Sequence, residues 1–130
     1  MTYSHAASAY REREVLTSSP SRLVVMVFDH AIANLMRARN AQKADREEER
    51  LAALAKAREA IMELLVTLDE ENGGEIAAHL RSLYAFFLSS LLDAGRRRDE
   101  RLLSRVIAMV TDLRDAFASI AADAARVPAA

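Results

Sequence analysis

Apolar residues recur at steps of three and four along four stretches of the chain, the spacing that places side chains on one face of a helix. The first stripe follows residues 17–20, whose hydroxyl side chains can cap free amides and whose proline suits the first helical turn. It covers residues 23–38, and its helix is expected to end near Ala44. The other stripes cover residues 51–68, 76–91 and 102–120. The pattern therefore predicts four helices.

Short polar segments separate the stripes. Residues 45–50 form a charged turn or a helix start, and residues 69–74 contain Asn-Gly-Gly, which predicts the sharpest turn of the chain. Gly95 suits the position just after the third helix, and Asp99 can cap the fourth. Because short connections make sequential helices antiparallel, we expect an up-down antiparallel four-helix bundle.

The length of 130 residues suits a single domain, residues 1–130. Residues 18–122 are expected to form the bundle, residues 1–17 a short N-terminal segment packing on it, and residues 123–130 a disordered tail. With 52% hydrophobic residues, only three glycines and two prolines, the composition favours helix over strand or turn. The predicted fold class is all-α.

Charge and hydropathy narrow the partners and the compartment. The 18 basic and 19 acidic residues nearly balance, so no overall field attracts nucleic acid. No apolar run approaches the roughly 20 residues that span a bilayer, and the N-terminus lacks a signal-peptide core, so we expect no membrane insertion. The absence of cysteine fits a reducing compartment. The expected location is the cytoplasm.

Metal ligands are sparse. A ferritin-like di-iron bundle needs Glu-x-x-His motifs, and the chain contains none. Glu75 and His79 stand four residues apart, but a solvated helical pair is the preferred interpretation. A metal-dependent enzyme built from these two residues with Asp29 and His30 is the least favoured alternative.

Nucleophiles and basic residues have structural explanations. Ser18, Ser19 and Ser21 are accounted for by helix capping. The arginines at positions 96, 97, 98, 101 and 105 lie where basic side chains complement the end of the third helix. We therefore predict no catalytic residue, no cofactor and no metal, and the chain is predicted not to be an enzyme.

Apolar residues exceed what four packed seams require. Phe86 and Leu92 lie off the main stripe of the third helix. The fourth helix carries two apolar rows, one through Leu102 and Met109 and one through Leu103 and Val110. Grooves of this kind accept an amphipathic helix from another chain.

A series of short motifs resembles the FliS family of flagellar secretion chaperones over about residues 9–118. In chain order the motifs are Ala9-Tyr10, Val15-Leu16-Thr17-Ser18-Ser19-Pro20, Leu23-Val24, Met26-Val27-Phe28-Asp29, Ala31-Ile32, Leu68-Asp69, Gly73-Gly74-Glu75-Ile76, Leu83-Tyr84 and Asp112-Leu113-Arg114-Asp115-Ala116-Phe117. Each is weak alone, and together they are specific.

The resemblance implies an antiparallel bundle that holds the C-terminal segment of new flagellin in the cytoplasm. It implies that the segment is disordered when free, becomes helical as it wraps the bundle, is kept from premature polymerisation and is presented to the export-gate membrane protein. Other flagellar regulators are further expected partners. The alternative is a helical adaptor or regulator that binds a different secreted or regulatory client.

The resemblance also implies a binding site for flagellin. Tyr10 matches the family's N-terminal tyrosine. The predicted flagellin-binding residues are Tyr10, Leu16, Ile61, Leu64, Leu65, Leu68, Val106, Ile107 and Val110. His30 stands where the family usually has glycine, and Phe117 where it usually has tryptophan.

Overall fold

The computed structural model describes residues 20–126, which form four helices joined by short connections. The helices are α1 (Pro20–Lys43), α2 (Glu47–Val66), α3 (Glu70–Arg97) and α4 (Glu100–Arg126). No strand occurs within this described part of the chain. The all-α prediction is confirmed.

The helices form an antiparallel ring in which α1 and α3 each pack against both α2 and α4. Arg114 Nε donates to Asp29 Oδ1 at 2.8 Å, and Arg39 Nη1 donates to Ser104 Oγ at 3.5 Å. Moving forward along α1 thus moves backward along α4. The connections between helices are too short to allow any other direction for neighbours.

The core is filled by large apolar side chains from all four helices. Its largest fully buried residues are Phe28, Leu35, Leu54, Ile61, Tyr84, Phe87, Leu91, Leu103, Val106 and Val110. The Phe28 ring lies between those of Tyr84 and Phe117, with centroids 6.2 and 5.5 Å away. Buried alanines such as Ala31 and Ala57 let the helix backbones approach closely.

Two residues assigned to the core stripes are in fact exposed. Leu51 is 50% exposed because it lies on the side of α2 that faces away from the core. Ile76 is 73% exposed and directly follows a kink in α3. The kink is at Gly74, whose φ of 53° and ψ of −131° suit glycine almost alone.

The kink also changes where α3 begins. The helix begins at Glu70 rather than near Ile76, and Asp69 caps it by accepting a hydrogen bond from the Asn72 amide at 3.1 Å. Arg81 pairs with Glu70 at 2.8 Å and ties the first turn to the helix beyond the kink. The predicted turn is therefore a cap followed by a bend.

Gly95 was expected to end α3 but lies inside the helix, which continues to Arg97. A Cβ atom at Gly95 would lie 3.2 Å from Leu54 Cδ1, so the glycine allows α2 and α3 to approach closely. The left-handed position is taken by Arg98, with φ of 54°. The predicted cap of α4 is confirmed, because Asp99 Oδ1 accepts from the Leu102 amide at 3.0 Å.

The helix α4 runs past its expected end at residue 122 and ends at Arg126. Residues 121–125 contain four alanines, the strongest helix former, which explains the extension. The N-terminal segment, the proposed capping serines at 18 and 19 and Pro128 lie outside the described residues.

Candidate interaction surface

The nine predicted binding residues fall into three structural groups. Tyr10 and Leu16 lie outside the described residues. Leu65 and Leu68 are half-buried and pack on the core. The other five are buried in the core, namely Ile61, Leu64, Val106, Ile107 and Val110. Their role in binding stays a prediction, and in the closed bundle they join α2 and α4 to the other helices rather than line an open surface.

A groove of about 360 Å³ runs between α3 and α4, the most loosely packed neighbouring pair. Its apolar lining comes from Leu83, Phe87, Met109, Leu113 and Ala116, and Asp112 adds a carboxylate. Met109 belongs to an apolar row that the sequence had already shown. The groove therefore lies beside the buried α4 residues that the resemblance selected.

A second groove, of about 280 Å³, lies between the start of α1 and the end of α2. Leu23, Val24 and Val27 form its α1 wall, and Leu64 contributes from α2. Leu64 is thus one predicted binding residue that lines an open depression. The three α1 residues were assigned only to the core stripe, and their position near the first helical turn explains why they also face a groove.

A third groove, of about 450 Å³, lies between α2 and α3. Its apolar lining includes Ala55, Met62, Leu88 and Leu92. Leu92 was recognised from the sequence as lying off the main stripe, whereas Met62 was not. The signal for Met62 was its place directly after the core residue Ile61, one step of about 100° around the helix.

A polar cluster closes the end of the bundle where α2 begins and α3 ends. The buried Arg50 donates to both carboxylate oxygens of Glu47, each at 2.7 Å, and to the Gly95 carbonyl at 3.1 Å. Arg98 pairs with Glu47 and, at 3.3 Å, with Asp45. Hydrogen bonding from Arg50, with the charge of Arg98 beside it, lowers the pKa of Glu47 from 4.5 to about 2.

We expect this cluster to make stability depend on pH in the acidic range. The pKa of Glu47 is lower in the folded state, so its ionised form stabilises the fold above pH 4.5, and this contribution is lost as the pH falls towards about 2. Urea unfolding should show Glu47→Gln less stable than the native sequence near neutral pH, with the difference shrinking as the pH is lowered. The exposed Glu48, which has no ion pair within residues 20–126, supplies the control Glu48→Gln. A difference that does not change with pH would contradict the assignment.

The polar groups of the described chain do not assemble a reactive site. Within residues 20–126 no three side chains of His, Asp or Glu stand close enough to hold a metal ion. Burial raises the pKa of Tyr84 to about 12, which keeps this phenol protonated at neutral pH. Glu75 and His79 are exposed on α3. No helix in the described range is long and apolar enough to cross a membrane.

Apolar grooves between paired helices are the surfaces of a protein-binding helical bundle. Comparison with known proteins identifies which one. The chain matches the family described as "Flagellar protein FliS" over residues 3–124. It belongs to the FliS family of flagellar secretion chaperones, as the motifs indicated, and this family is a chaperone family and not an enzyme family.

Characterised relatives come from distant bacteria. The flagellar secretion chaperone FliS of Salmonella typhimurium is 34% identical over 110 residues, which cover 84% of this chain and 82% of the relative. That of Escherichia coli is 32% identical, covering 82% of this chain and 79% of the relative. That of Bacillus subtilis is 29% identical over 117 residues, with coverages of 90% and 86%.

Proposed function

We propose that this chain is a cytoplasmic export chaperone for flagellin. It binds the disordered C-terminal segment of flagellin, prevents premature polymerisation and delivers the subunit to the flagellar type III export apparatus. The observation that carries the proposal is the family match over residues 3–124.

The geometry of the bundle supports a client that folds as it binds. The α3–α4 and α1–α2 grooves are apolar, and each is shaped to hold one face of an amphipathic helix. Ordering a disordered segment costs about 2–5 kcal/mol or more, so the client must bury apolar surface along an extended path. Two grooves between different helix pairs provide such a path around the bundle.

Binding to intact and truncated flagellin tests the proposal. We expect the chain to copurify with intact flagellin and to lose it when the last few dozen residues of flagellin are deleted. Equal binding of the two forms would overturn the assignment of the client segment. If neither form binds, the alternative of an adaptor for another secreted or regulatory client replaces the proposal.

Delivery requires a second contact, with the cytoplasmic domain of the export-gate membrane protein. We expect that domain to bind the chaperone–flagellin complex more tightly than either protein alone. Calorimetric titration of the purified domain into each of the three samples measures the difference. Equal affinities would separate flagellin storage from delivery.

Tyr10 is expected to contribute to client binding, as its match to the family's N-terminal tyrosine implies. Tyr10→Ala should weaken flagellin binding and leave helicity and melting temperature nearly unchanged, since one aromatic contact at the interface is lost. Tyr3→Ala, in the same N-terminal stretch, is the matched control. An unaltered affinity of Tyr10→Ala would refute the role.

A further inference from the structure

A stripe of exposed residues on α2 is not used by the two client grooves described above. We call it the α2 stripe, and its residues are Leu51, Ala55, Arg58, Glu59, Met62 and Val66. Leu51, Met62 and Val66 are 50%, 46% and 74% exposed. Exposed apolar residues in one contiguous row mark an interaction surface more strongly than the same residues scattered singly.

The order of residues in the α2 stripe is self-complementary. When two copies of α2 lie antiparallel, with the two-fold axis midway between positions 58 and 59, Leu51 meets Val66 of the second copy and Ala55 meets Met62. Each apolar residue thus faces an apolar residue, and the small Ala55 leaves room for the long Met62. An interface between identical copies needs this property, because the same patch serves both sides.

The two charges of the stripe obey the same register. Arg58 and Glu59 stand next to the axis, so each Arg58 faces Glu59 of the other copy. Neither has an ion pair elsewhere in residues 20–126, so both are available for a partner. A complementary pair of this kind fixes the register, since a shifted pairing would oppose like charges or set a charge against an apolar residue.

The neighbouring helix deepens the surface. Leu88 and Leu92 of α3 form the second wall of the groove that Ala55 and Met62 line. A helix from a second copy can therefore contact α2 along the stripe and α3 along this wall. This gives a partner helix two supports instead of one.

We propose that the α2 stripe is a homodimer interface in which α2 packs antiparallel on α2 of a second copy. The stripe extends over about 22 Å of helix, at 1.5 Å per residue. One helix pair of this length gives an interface at the small end of the range for specific complexes. The dimer is therefore reversible and depends on protein concentration.

Charge reversal tests the proposed register. Sedimentation velocity of the full chain over a concentration series should show a monomer–dimer equilibrium. Arg58→Glu and Glu59→Arg should each weaken it at least about tenfold by opposing like charges across the axis, and the double variant should restore it. Arg101→Glu reverses an exposed charge on α4 and should have no effect. Unchanged circular dichroism spectra would show that each variant is folded.

Crosslinking provides a second, independent test, because the chain has no cysteine of its own. Mild oxidation of a mixture of Ala55→Cys and Met62→Cys chains should form the mixed disulfide in preference to either symmetric one. A monomer at all concentrations, a dimer insensitive to charge reversal, or equal yields of the three disulfides would overturn the proposal. So would a monomeric chain whose flagellin affinity falls on charge reversal, because the stripe would then hold the client.

Discussion

Replacing Phe28 with alanine will lower the free energy of unfolding by about 3–5 kcal/mol, the range for deletion of a fully buried phenylalanine ring. Phe28 is completely buried and its ring stands between those of Tyr84 and Phe117. Its loss leaves a cavity where α1, α3 and α4 meet, and the rigid rings on either side cannot move far enough to fill it. Urea unfolding followed by circular dichroism measures the change.

The same helix supplies the control. Met26 is 61% exposed, so Met26→Ala should change the free energy of unfolding by no more than about 0.5 kcal/mol. If Phe28→Ala is too unstable to fold, Phe28→Leu should still be destabilised, by about 1–2 kcal/mol. Equal stabilities of the Phe28 and Met26 variants would contradict the aromatic core.

Placing a carboxylate in the α3–α4 groove should weaken flagellin binding by about tenfold to a hundredfold, the cost of an altered interface hot spot. Met109 is the best position, because it lines the groove and is only half-buried. Met109→Glu puts a charge where the apolar face of a client helix would lie, and that charge must then lose water. Isothermal titration with intact flagellin measures the affinity.

Ala108→Glu is the matched control, since Ala108 is exposed and adjacent to Met109 on α4. It should bind flagellin as the native chain does. A folded Met109→Glu chain with native affinity would show that the client takes another path, such as the α1–α2 groove. That result would leave the proposed function standing, because binding by the native chain tests it separately.

Most of the fold was predictable from periodicity. The start of α1 at Pro20 and the end of α2 just before Asp69 agree with the pattern, because proline, a cap or a polar run interrupts the apolar stripe there. Leu92 and Phe86 were also placed correctly outside the core. These features are local, so the residues within one or two turns determine them.

The errors arose where another helix decides what a residue does. Gly95 has the signature of a helix end, but it lies against Leu54 of α2, and Arg50 donates to its carbonyl. The left-handed turn passes to Arg98, whose side chain pairs with Glu47 and Asp45. None of these partners is near in sequence, so no local pattern could indicate them.

The binding residues show the same division. Ile61, Val106 and Val110 are apolar in a way that fits a groove or a core equally well. Only the packing shows that they are buried, and that Met109 and Leu113 beside them line an opening. A stripe defines which face of a helix is apolar, whereas the position of the neighbouring helices defines which part of that face stays uncovered.

The sequence by itself determined the helical class, the number of helices, most of their ends and the FliS family, because spacing, caps and ordered motifs are properties of the chain alone. Tertiary structure decided which apolar residues form the core, which line the grooves, and why a glycine lies inside α3. The physical reason is that burial depends on the distance between helices, and that distance is set by side chains far apart in the chain.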